Sequence, residues 1–430
     1  NPVPLVDLQG KFVSQMGDFA GKYVKNEYYS DGEAPEKSVD VEIAIRLKEE
    51  NKAFKVEKYV HSYPHCWRTD KPILYYPLDS WFIKVTEIKD RMFDLNDTIN
   101  WKPKATGEGR FGNWLKNAND WNLSRSRYWG IPLPIWRTED KTEEVLIGSV
   151  EELYHAIEKS IAAGFQQENP FKGFEIGNMS EENYDLVDLH KNVVDDIVLV
   201  SPSGQPMKRE ADLIDVWFDS GAMPYAQWHY PFENKELIDD HLAFPADFIA
   251  EGVDQTRGWF YTLHAIGTLV FDKIAYKNVV SNGLVLDKNG QKMSKRLGNA
   301  VDPFETMDKY GADACRFGIL ISSPAGNDLL WDESSNEQGR NFNNKLWNAL
   351  KLIQIWKERA KPNLTSEEVS LASDWPHQWF DARLRAASSE IDVLMAQYKL
   401  SEALKTLYSL IWDDFCSWYL EWVKPGFEKP

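Results

Sequence analysis

The sequence predicts an α/β fold with a parallel sheet and inserted mixed segments, followed by an all-α helical bundle. Between residues 211 and 300, short apolar strands alternate with helical patterns, which is typical of parallel βαβ units. After about residue 335, apolar residues recur at helical spacing along three segments, 342–353, 384–398 and 400–415. Three such amphipathic helices indicate a bundle.

Taken in order, the chain divides into five parts. Residues 1–60 end in a charged segment with a helical pattern, and residues 61–136 are rich in aromatic residues and proline, with strand-like runs. Residues 137–210 are acidic and mixed, which favours a surface insertion. Residues 211–334 hold the predicted βαβ units, and residues 335–430 hold the predicted bundle. Several domains are expected, because one domain usually has about 100–200 residues.

The composition limits the classes of function. A formal net charge of −18 argues against a general nucleic-acid binder, although a local basic surface can still bind RNA. Three cysteines, Cys66, Cys315 and Cys416, neither form a disulfide framework nor show metal-ligand spacing. No run approaches the roughly 18 apolar residues that span a bilayer, and the chain opens without a signal-like segment. We therefore expect a cytoplasmic protein with no membrane partner.

The sharpest motif is the basic segment 292–296, which reads Lys-Met-Ser-Lys-Arg. It follows a strand-like run and a turn at 287–290, whose Asn-Gly pair favours a tight reversal. Lys292 and Lys295 can both face one anionic ligand and offset the negative charge that develops on a phosphate during adenylyl transfer. The alternative is a solvated basic loop, and five residues alone do not exclude it.

An acidic motif begins at Glu251 and follows a predicted strand. Glu251 and Asp254 are expected just beyond the carboxyl end of that strand, where open α/β sheets bind ligands, and a carboxylate there can pair with a substrate ammonium group. Gly252 allows the backbone to approach a ligand closely, and Trp259 offers an apolar wall. The alternative is a helix-capping carboxylate at Asp254 with a core tryptophan, which is compatible with ligand binding.

A third motif, Asp-Val-Trp-Phe-Asp-Ser-Gly at 215–221, contains Trp217. By itself this motif predicts a buried strand that ends in a turn. Two arginines in the segment 121–132, Arg125 and Arg127, either face RNA or phosphate or hold acidic neighbours, and the sequence does not separate these alternatives.

Together these motifs resemble those of class I aminoacyl-tRNA synthetases, in particular the isoleucyl members. Segment 292–296 is similar to the KMSKS loop, with arginine in the final place, and the segment that starts at Glu251 is similar to the isoleucyl segment for the amino acid and its adenylate. The resemblance covers nearly the whole chain in the family's order. Further segments that look like family segments are 61–68, 121–132, 341–348 and 411–419.

The resemblance implies a role for each part of the chain. Residues 211–334 would be the second half of a Rossmann-like parallel-sheet catalytic core that carries the basic loop. Residues 1–60 would be the remnant of an editing insertion, 61–136 the return to the nucleotide-binding core, and 335–430 the start of an anticodon-binding bundle. ATP with Mg²⁺, isoleucine and tRNA(Ile) are the implied cofactors and partners.

The resemblance also implies the site residues. Lys292 and Lys295 would be catalytic, and Met293, Ser294 and Lys295 would bind ATP. Two tryptophans would form an apolar slot for a branched aliphatic side chain; such a slot discriminates poorly against one missing methylene, a limit for which the isoleucyl enzyme is itself the standard example. The residues expected to bind the amino acid and its adenylate are Glu251, Gly252, Asp254, Gln255, Trp217 and Trp259.

The sequence departs from the family's pattern in three places. The His-x-Gly-His motif of class I members is missing, and the string at 264–267 lacks its second histidine. The editing-pocket residues have no match here and would lie before Asn1. Where many bacterial members have a Cys-x-x-Cys pair, residues 136–140 read Trp-Arg-Thr-Glu-Asp, so no zinc is expected. We therefore expect this chain alone to be inactive or nearly so in ATP–pyrophosphate exchange.

Three other functions remain as alternatives. The nearest alternatives are valyl- and leucyl-tRNA synthetases. A non-catalytic tRNA-binding module is disfavoured, because both loop lysines, the two carboxylates and both tryptophans are retained. An unrelated Rossmann-type nucleotide binder is disfavoured, because we identify no G-x-G-x-x-G string after a predicted strand and no P-loop.

Overall fold

The computed structural model describes residues 3–294, 298–324, 326–359 and 374–424. The chain forms two compact units, Asn1–Ser80 and Trp81–Pro430. The finer division into five parts stays a prediction.

The regular elements are numbered here in chain order. The α-helices are α1 Val39–Glu49, α2 Lys89–Asn96, α3 Gly112–Lys116, α4 Val150–Ala162, α5 Glu181–Tyr184, α6 Lys191–Val194, α7 Val216–Ala226, α8 Lys235–Asp239, α9 Trp259–Phe271, α10 Pro303–Tyr310, α11 Ala312–Ser322, α12 Glu333–Arg359, α13 Trp375–Ala396, α14 Leu400–Ser409 and α15 Leu420–Val423. The strands are β1 Phe82–Ile83, β2 Asn100–Lys102, β3 Trp121–Asn122, β4 Ser124–Arg125, β5 Ile135–Thr138, β6 Glu144–Leu146, β7 Leu199–Val200, β8 Pro206–Arg209, β9 Leu213–Ile214, β10 Ile249–Gly252, β11 Asn278–Asn282, β12 Val285–Leu286 and β13 Leu329–Leu330.

A parallel sheet with the order β10-β11-β2 forms the centre of the second unit. Its middle strand β11 is buried at Val279, Val280 and Ser281, as expected for a strand covered on both faces. Helix α9 connects β10 to β11, which gives the βαβ unit that the sequence predicts. The α/β part of the predicted fold is therefore confirmed.

Helices α7 and α9 pack at very short range. A Cβ atom on Gly221 would lie 2.9 Å from Cδ1 of Ile266 and 3.0 Å from the backbone of Thr262. Only glycine allows this approach. The two helices join the main hydrophobic core, whose fully buried members include Val85, Met92, Phe111, Leu115, Phe260, Ala265, Tyr276 and Val279.

Residues 135–209 contain a second, separate core. The antiparallel sheet β6-β5-β8-β7 packs with helix α4. Trp136 is buried and its indole Nε1 donates to the carbonyl of Ile197 over 2.9 Å. Ser149 caps α4 by accepting from the backbone N–H of Glu152 over 3.0 Å.

The C-terminal part is helical, and the predicted bundle is confirmed by α12, α13 and α14. The third apolar stripe continues past α14 as a π-helix, Leu410–Tyr419, so this stripe is not one uniform α-helix. The ring of Phe317 on α11 contacts those of Phe342 on α12 and Tyr408 on α14, and the three centroids lie 5.1–6.1 Å apart.

The first unit has little regular structure apart from α1. Its Tyr28 hydroxyl donates to the carbonyl of Pro72 over 2.5 Å, and its Tyr76 hydroxyl donates to the carbonyl of Val6 over 3.0 Å. The predicted strand-like run at 73–76 is extended but belongs to no sheet. No helix in the described parts of either unit is long and apolar enough to cross a membrane.

A buried histidine on α9 makes the fold sensitive to acid. His264 is fully buried, and its Nε2 lies 2.8 Å from the carbonyl oxygen of Met92. A carbonyl only accepts, so Nε2 carries the proton, while Nδ1 has no hydrogen-bond partner among the described residues. Burial lowers the pKa of His264 from 6.5 to about 4, although the bond to Met92 opposes this shift.

We predict that stability falls with pH between about 6.5 and 4 because of His264. In that range His264 is protonated in the unfolded chain and neutral in the folded one. Its contribution to the free energy of unfolding is therefore complete above pH 6.5 and is lost as the pH drops. At about 1.4 kcal/mol for each pKa unit, the free energy of unfolding falls by about 3 kcal/mol. His264→Gln should flatten this part of the profile in urea denaturation followed by tryptophan fluorescence. An equally steep decline in the variant would contradict the assignment.

Candidate active site

Glu251 lies at the carboxyl edge of the parallel sheet. In the register of β10 with β11, Glu251 is opposite Ser281 and Gly252 is opposite Asn282. The Glu251 side chain is exposed and has no hydrogen bond or ion pair with any described residue. Ligands of open α/β sheets bind at this edge, so an exposed carboxylate here is available to a cationic group.

Asp254 and Gln255 follow in a short 3₁₀ helix, Val253–Arg257. Asp254 is exposed and accepts from Nε2 of Gln255 over 3.3 Å. A Cβ atom on Gly252 would lie 2.5 Å from Oδ1 of Asp254, so any side chain at this position would displace the exposed Asp254 carboxylate. Asp254 does not cap α9: the Gln255 side chain does so, since its Oε1 accepts from the backbone N–H of Trp259 over 3.0 Å.

Gly258 lies between the two predicted slot tryptophans, because it precedes Trp259 in the chain and packs against the ring of Trp217. A Cβ atom on Gly258 would lie 3.1 Å from Cη2 of Trp217 and 2.7 Å from Oε1 of Gln255. The indole Nε1 of Trp259 donates to the carbonyl of Ser220 on α7 over 2.9 Å. The Trp217 side chain is 40% exposed, so one face of the cluster is open to a ligand. This arrangement can form an apolar wall for an aliphatic side chain.

Asp215 fixes the start of α7 and therefore the position of Trp217. It is buried, and its carboxylate accepts from the backbone N–H of Trp217 over 3.2 Å, from Nε1 of Trp121 over 3.0 Å and from the guanidinium of Arg125 over 2.7 Å. The prediction of a strand ending in a turn was therefore wrong, because a helix starts at Val216. Aspartate before a helix is a capping pattern that could have indicated this.

The two arginines of the segment 121–132 differ in their contacts. Arg125 pairs with an acidic neighbour, Asp215, which was one of the two alternatives for these arginines. Arg127 is exposed, and its guanidinium forms no ion pair with the described residues, so it remains available to an anion.

The basic loop leaves the sheet beyond β11. The strand-like run before the turn at 287–290 forms two strands, β11 and β12, which belong to different sheets. Between them, the backbone at Asn327 approaches Gly283 too closely for any side chain there. Strand β12 then pairs with β13, and the loop starts at the turn after Leu286. The predicted reversal at 287–290 is confirmed: the backbone N–H of Gly290 donates to the carbonyl of Asp287 over 2.9 Å.

Asp287 and Asn299 close the base of this loop. Nδ2 of Asn299 donates to Oδ2 of Asp287 over 2.9 Å, and its Oδ1 accepts from the backbone N–H of Ser294 over 2.9 Å. The Asn299 amide, followed by the backbone N–H of Gln291, lowers the pKa of Asp287, which keeps it ionised as an acceptor. No local pattern in the sequence indicates this pair, since twelve positions separate its members.

The predicted loop residues are only partly covered by the structure. Lys292 is exposed, and it forms no ion pair with a described residue. Met293 and Ser294 are half-buried. Lys295 lies outside the described residues, so its predicted contact with ATP stays a prediction. The structure therefore brings together the predicted amino-acid residues, 251–255 with Trp217 and Trp259, and does not test how the loop meets them.

Residues 136–140, which replace the Cys-x-x-Cys pair of many bacterial members, lie in a network of hydroxyl and carboxyl groups. Thr138 donates to Oδ1 of Asp140 over 2.6 Å. Glu143 joins the two neighbouring turns, accepting from the hydroxyl of Ser201 over 2.7 Å and from the hydroxyl of Ser203. No group of three or more His, Cys, Asp or Glu side chains in the described parts of the chain is placed to hold a metal ion.

One sequence interpretation must be corrected. The string 107–112, Gly-Glu-Gly-Arg-Phe-Gly, fits G-x-G-x-x-G and follows strand β2, so the statement that no such string follows a strand was wrong. Two of its three glycines, Gly107 and Gly112, serve packing. Gly107 is buried against the indole of Trp101, and its carbonyl accepts from Nδ2 of Asn96 over 3.1 Å. The string lies within a π-helix that continues into α3, with no free loop before a helix to hold a phosphate.

Comparisons with known proteins identify the family of this chain. A family profile described as tRNA synthetases class I (I, L, M and V) matches residues 23–332, and a profile described as anticodon-binding domain of tRNA ligase matches residues 377–430. An isoleucine–tRNA ligase of Bacteroides fragilis is 53% identical over 97% of this chain and 38% of its own length. One from Cytophaga hutchinsonii is 52% identical over 100% of this chain and 38% of its own length.

More distant proteins match as well. An isoleucine–tRNA ligase of Clostridium acetobutylicum is 40% identical over 97% of this chain and 37% of its own length. A solved ternary complex of LeuRS, tRNA and LeuAMS from Agrobacterium radiobacter K84 has a TM-score of 0.49 and 17% identity, covering 75% of this chain and 40% of that one, which decides nothing about the fold. This chain spans less than two fifths of the length of the curated relatives. The profile match over 23–332 shows that the chain belongs to the class I tRNA synthetases of the I, L, M and V group.

Proposed function

We propose that this chain supplies the amino-acid-binding part of an isoleucine–tRNA ligase. The observation that carries the proposal is the cluster around Gly258. The side chains of Trp217 and Gln255 pack against Gly258, and Gln255 accepts from the backbone N–H of Trp259. The same chain segment carries the exposed carboxylates of Glu251 and Asp254. An apolar wall next to an acidic strand end suits a substrate with an aliphatic side chain and an ammonium group. Identity of 52–53% with isoleucine–tRNA ligases supports isoleucine as that substrate.

The proposed reaction has two steps. The carboxylate of isoleucine attacks the α-phosphorus of ATP, which forms isoleucyl-adenylate and releases pyrophosphate. A hydroxyl at the 3′ end of tRNA then attacks the acyl carbon, and AMP leaves. No covalent enzyme intermediate is needed, because holding the reactants in line and stabilising developing charge are sufficient.

In this proposal the described residues bind and position the amino acid. Glu251 or Asp254 receives the ammonium group, and Trp217 with Trp259 holds the side chain. Lys292 and Lys295, with Met293 and Ser294, would meet the ATP phosphates from the basic loop. Mg²⁺ would accompany the ATP phosphates.

The partner of the helical part would be tRNA(Ile), in the cytoplasm. The anticodon-binding profile at 377–430 supports a tRNA partner, and the names of the relatives support its isoleucine acceptor. Valyl- or leucyl-tRNA synthetase is the second candidate, because the family profile over 23–332 also includes the V and L enzymes.

We predict that a complete protein containing this chain catalyses ATP–pyrophosphate exchange with isoleucine, and with lower kcat/KM for valine and leucine. Trp217→Ala should lower kcat/KM for isoleucine by roughly 10- to 100-fold, as expected for losing about 1.5–3 kcal/mol of apolar contact. Trp347→Ala, an exposed tryptophan on α12, is the matched control and should leave exchange unchanged. Higher kcat/KM for valine or leucine than for isoleucine would reject the assignment.

A second prediction concerns Gly258, where a side chain would press on both Trp217 and Gln255. Gly258→Ala should raise KM for isoleucine roughly tenfold, as expected for overpacking worth about 1–3 kcal/mol, and leave KM for ATP nearly unchanged. Gly109→Ala is the control, because a Cβ atom there meets nothing within 4 Å. If both KM values rise equally in Gly258→Ala, Gly258 does not shape the amino-acid slot.

A further inference from the structure

A second cavity lies on the other side of the segment that carries Trp217. It has a volume of about 1010 Å³ and lies between the start of α7, residues 129–134 and the module built on β5–β8. That size is at the upper end of the range for small-molecule sites, about 300–1,000 Å³. Most of its wall is apolar, with Ile131, Pro132 and Ile214 among the lining residues.

The charged groups that line this cavity are acidic. Among the described residues of its wall, three are aspartates, namely Asp185, Asp188 and Asp219, and none is Lys or Arg. His190 also lines it, but its Nδ1 is already bonded to Oδ1 of Asp188 over 2.8 Å. A phosphate-bearing ligand would be repelled by this set, whereas a cation would be attracted.

Asp219 is the carboxylate of α7 that lines this cavity. It is half-buried, and its carboxylate forms no hydrogen bond or ion pair with any described residue. Burial, with the nearby charge of Asp215, raises the pKa of Asp219 above its ordinary value. A partly desolvated carboxylate that lines a cavity is stabilised by an incoming cationic group.

One end of the cavity offers an aromatic surface. The rings of Trp129 and His190 stack with centroids 4.7 Å apart and an interplanar angle of 17°. The Trp129 side chain is 72% exposed, so its other face is free to receive a flat or cationic group. Tryptophan is the best aromatic partner for a cation.

We propose that this cavity binds a small organic cation with an aromatic or apolar body, whose amine meets Asp219 and whose body packs against the apolar wall and Trp129. The site is separate from the proposed isoleucine slot, because its residues come from the opposite flank of α7 and from 129–190. Neither the family profiles nor the names of the relatives assign a ligand to it.

The test uses three probes that share an indole ring and differ in charge: tryptamine, the neutral tryptophol and the anionic indole-3-acetate. Binding to the whole chain is measured by isothermal titration calorimetry. Tryptamine should bind saturably and at least about tenfold more tightly than the other two, since a hydrogen bond to a charged group is worth about 1.5–3 kcal/mol. Equal affinity for tryptamine and tryptophol, or no saturable binding, would overturn the proposal.

Two substitutions locate the site. Asp219→Asn should reduce tryptamine affinity about tenfold, to the level of tryptophol, whereas Asp240→Asn, an exposed aspartate outside the cavity, should leave it unchanged. Trp129→Ala, at an exposed position that the fold tolerates, should weaken tryptamine and tryptophol alike. Unchanged tryptamine binding in both Asp219→Asn and Trp129→Ala would place the ligand elsewhere and refute the assignment.

Discussion

The close contact of α7 with α9 is the constraint on which the candidate site depends. Gly221 has no Cβ, so the backbones of the two helices approach until Ile266 and Thr262 fill the space beside it. This contact places the first turn of each helix side by side at the carboxyl edge of the parallel sheet. Trp217 packs against Gly258, the residue before Trp259, and the bond from the Trp259 indole to the carbonyl of Ser220 links α9 to α7.

Electrostatics adds precision to this packing. Asp215 is buried with three donors around it, which orients the start of α7. The nearby Asp219 forms no hydrogen bond or ion pair with a described residue. On the sheet side, Glu251 and Asp254 are exposed and form no ion pair with a described residue. The same short helix therefore separates two surfaces, one with a tryptophan beside carboxylates and one with a single carboxylate above an apolar cavity.

The sequence predicted the features that depend on local pattern. Alternation of strands and helices gave the parallel sheet, and helical spacing gave the bundle. Features that depend on distant partners were missed. Strand β12 pairs with β13 and not with the parallel sheet, and the base of the basic loop is closed by Asp287 and Asn299. The glycine string at 107–112 was also missed. It fits a nucleotide fingerprint, but its first glycine packs against the indole of Trp101.

The central claim is that the α7–α9 contact builds the amino-acid slot. A crystal structure of a complete protein containing this chain, bound to a non-hydrolysable sulfamate analogue of isoleucyl-adenylate, tests it most directly. We expect the branched side chain against Trp217 and Trp259, with the ammonium nitrogen within hydrogen-bond distance of Glu251 or Asp254. An analogue bound with its side chain away from both tryptophans would contradict the account.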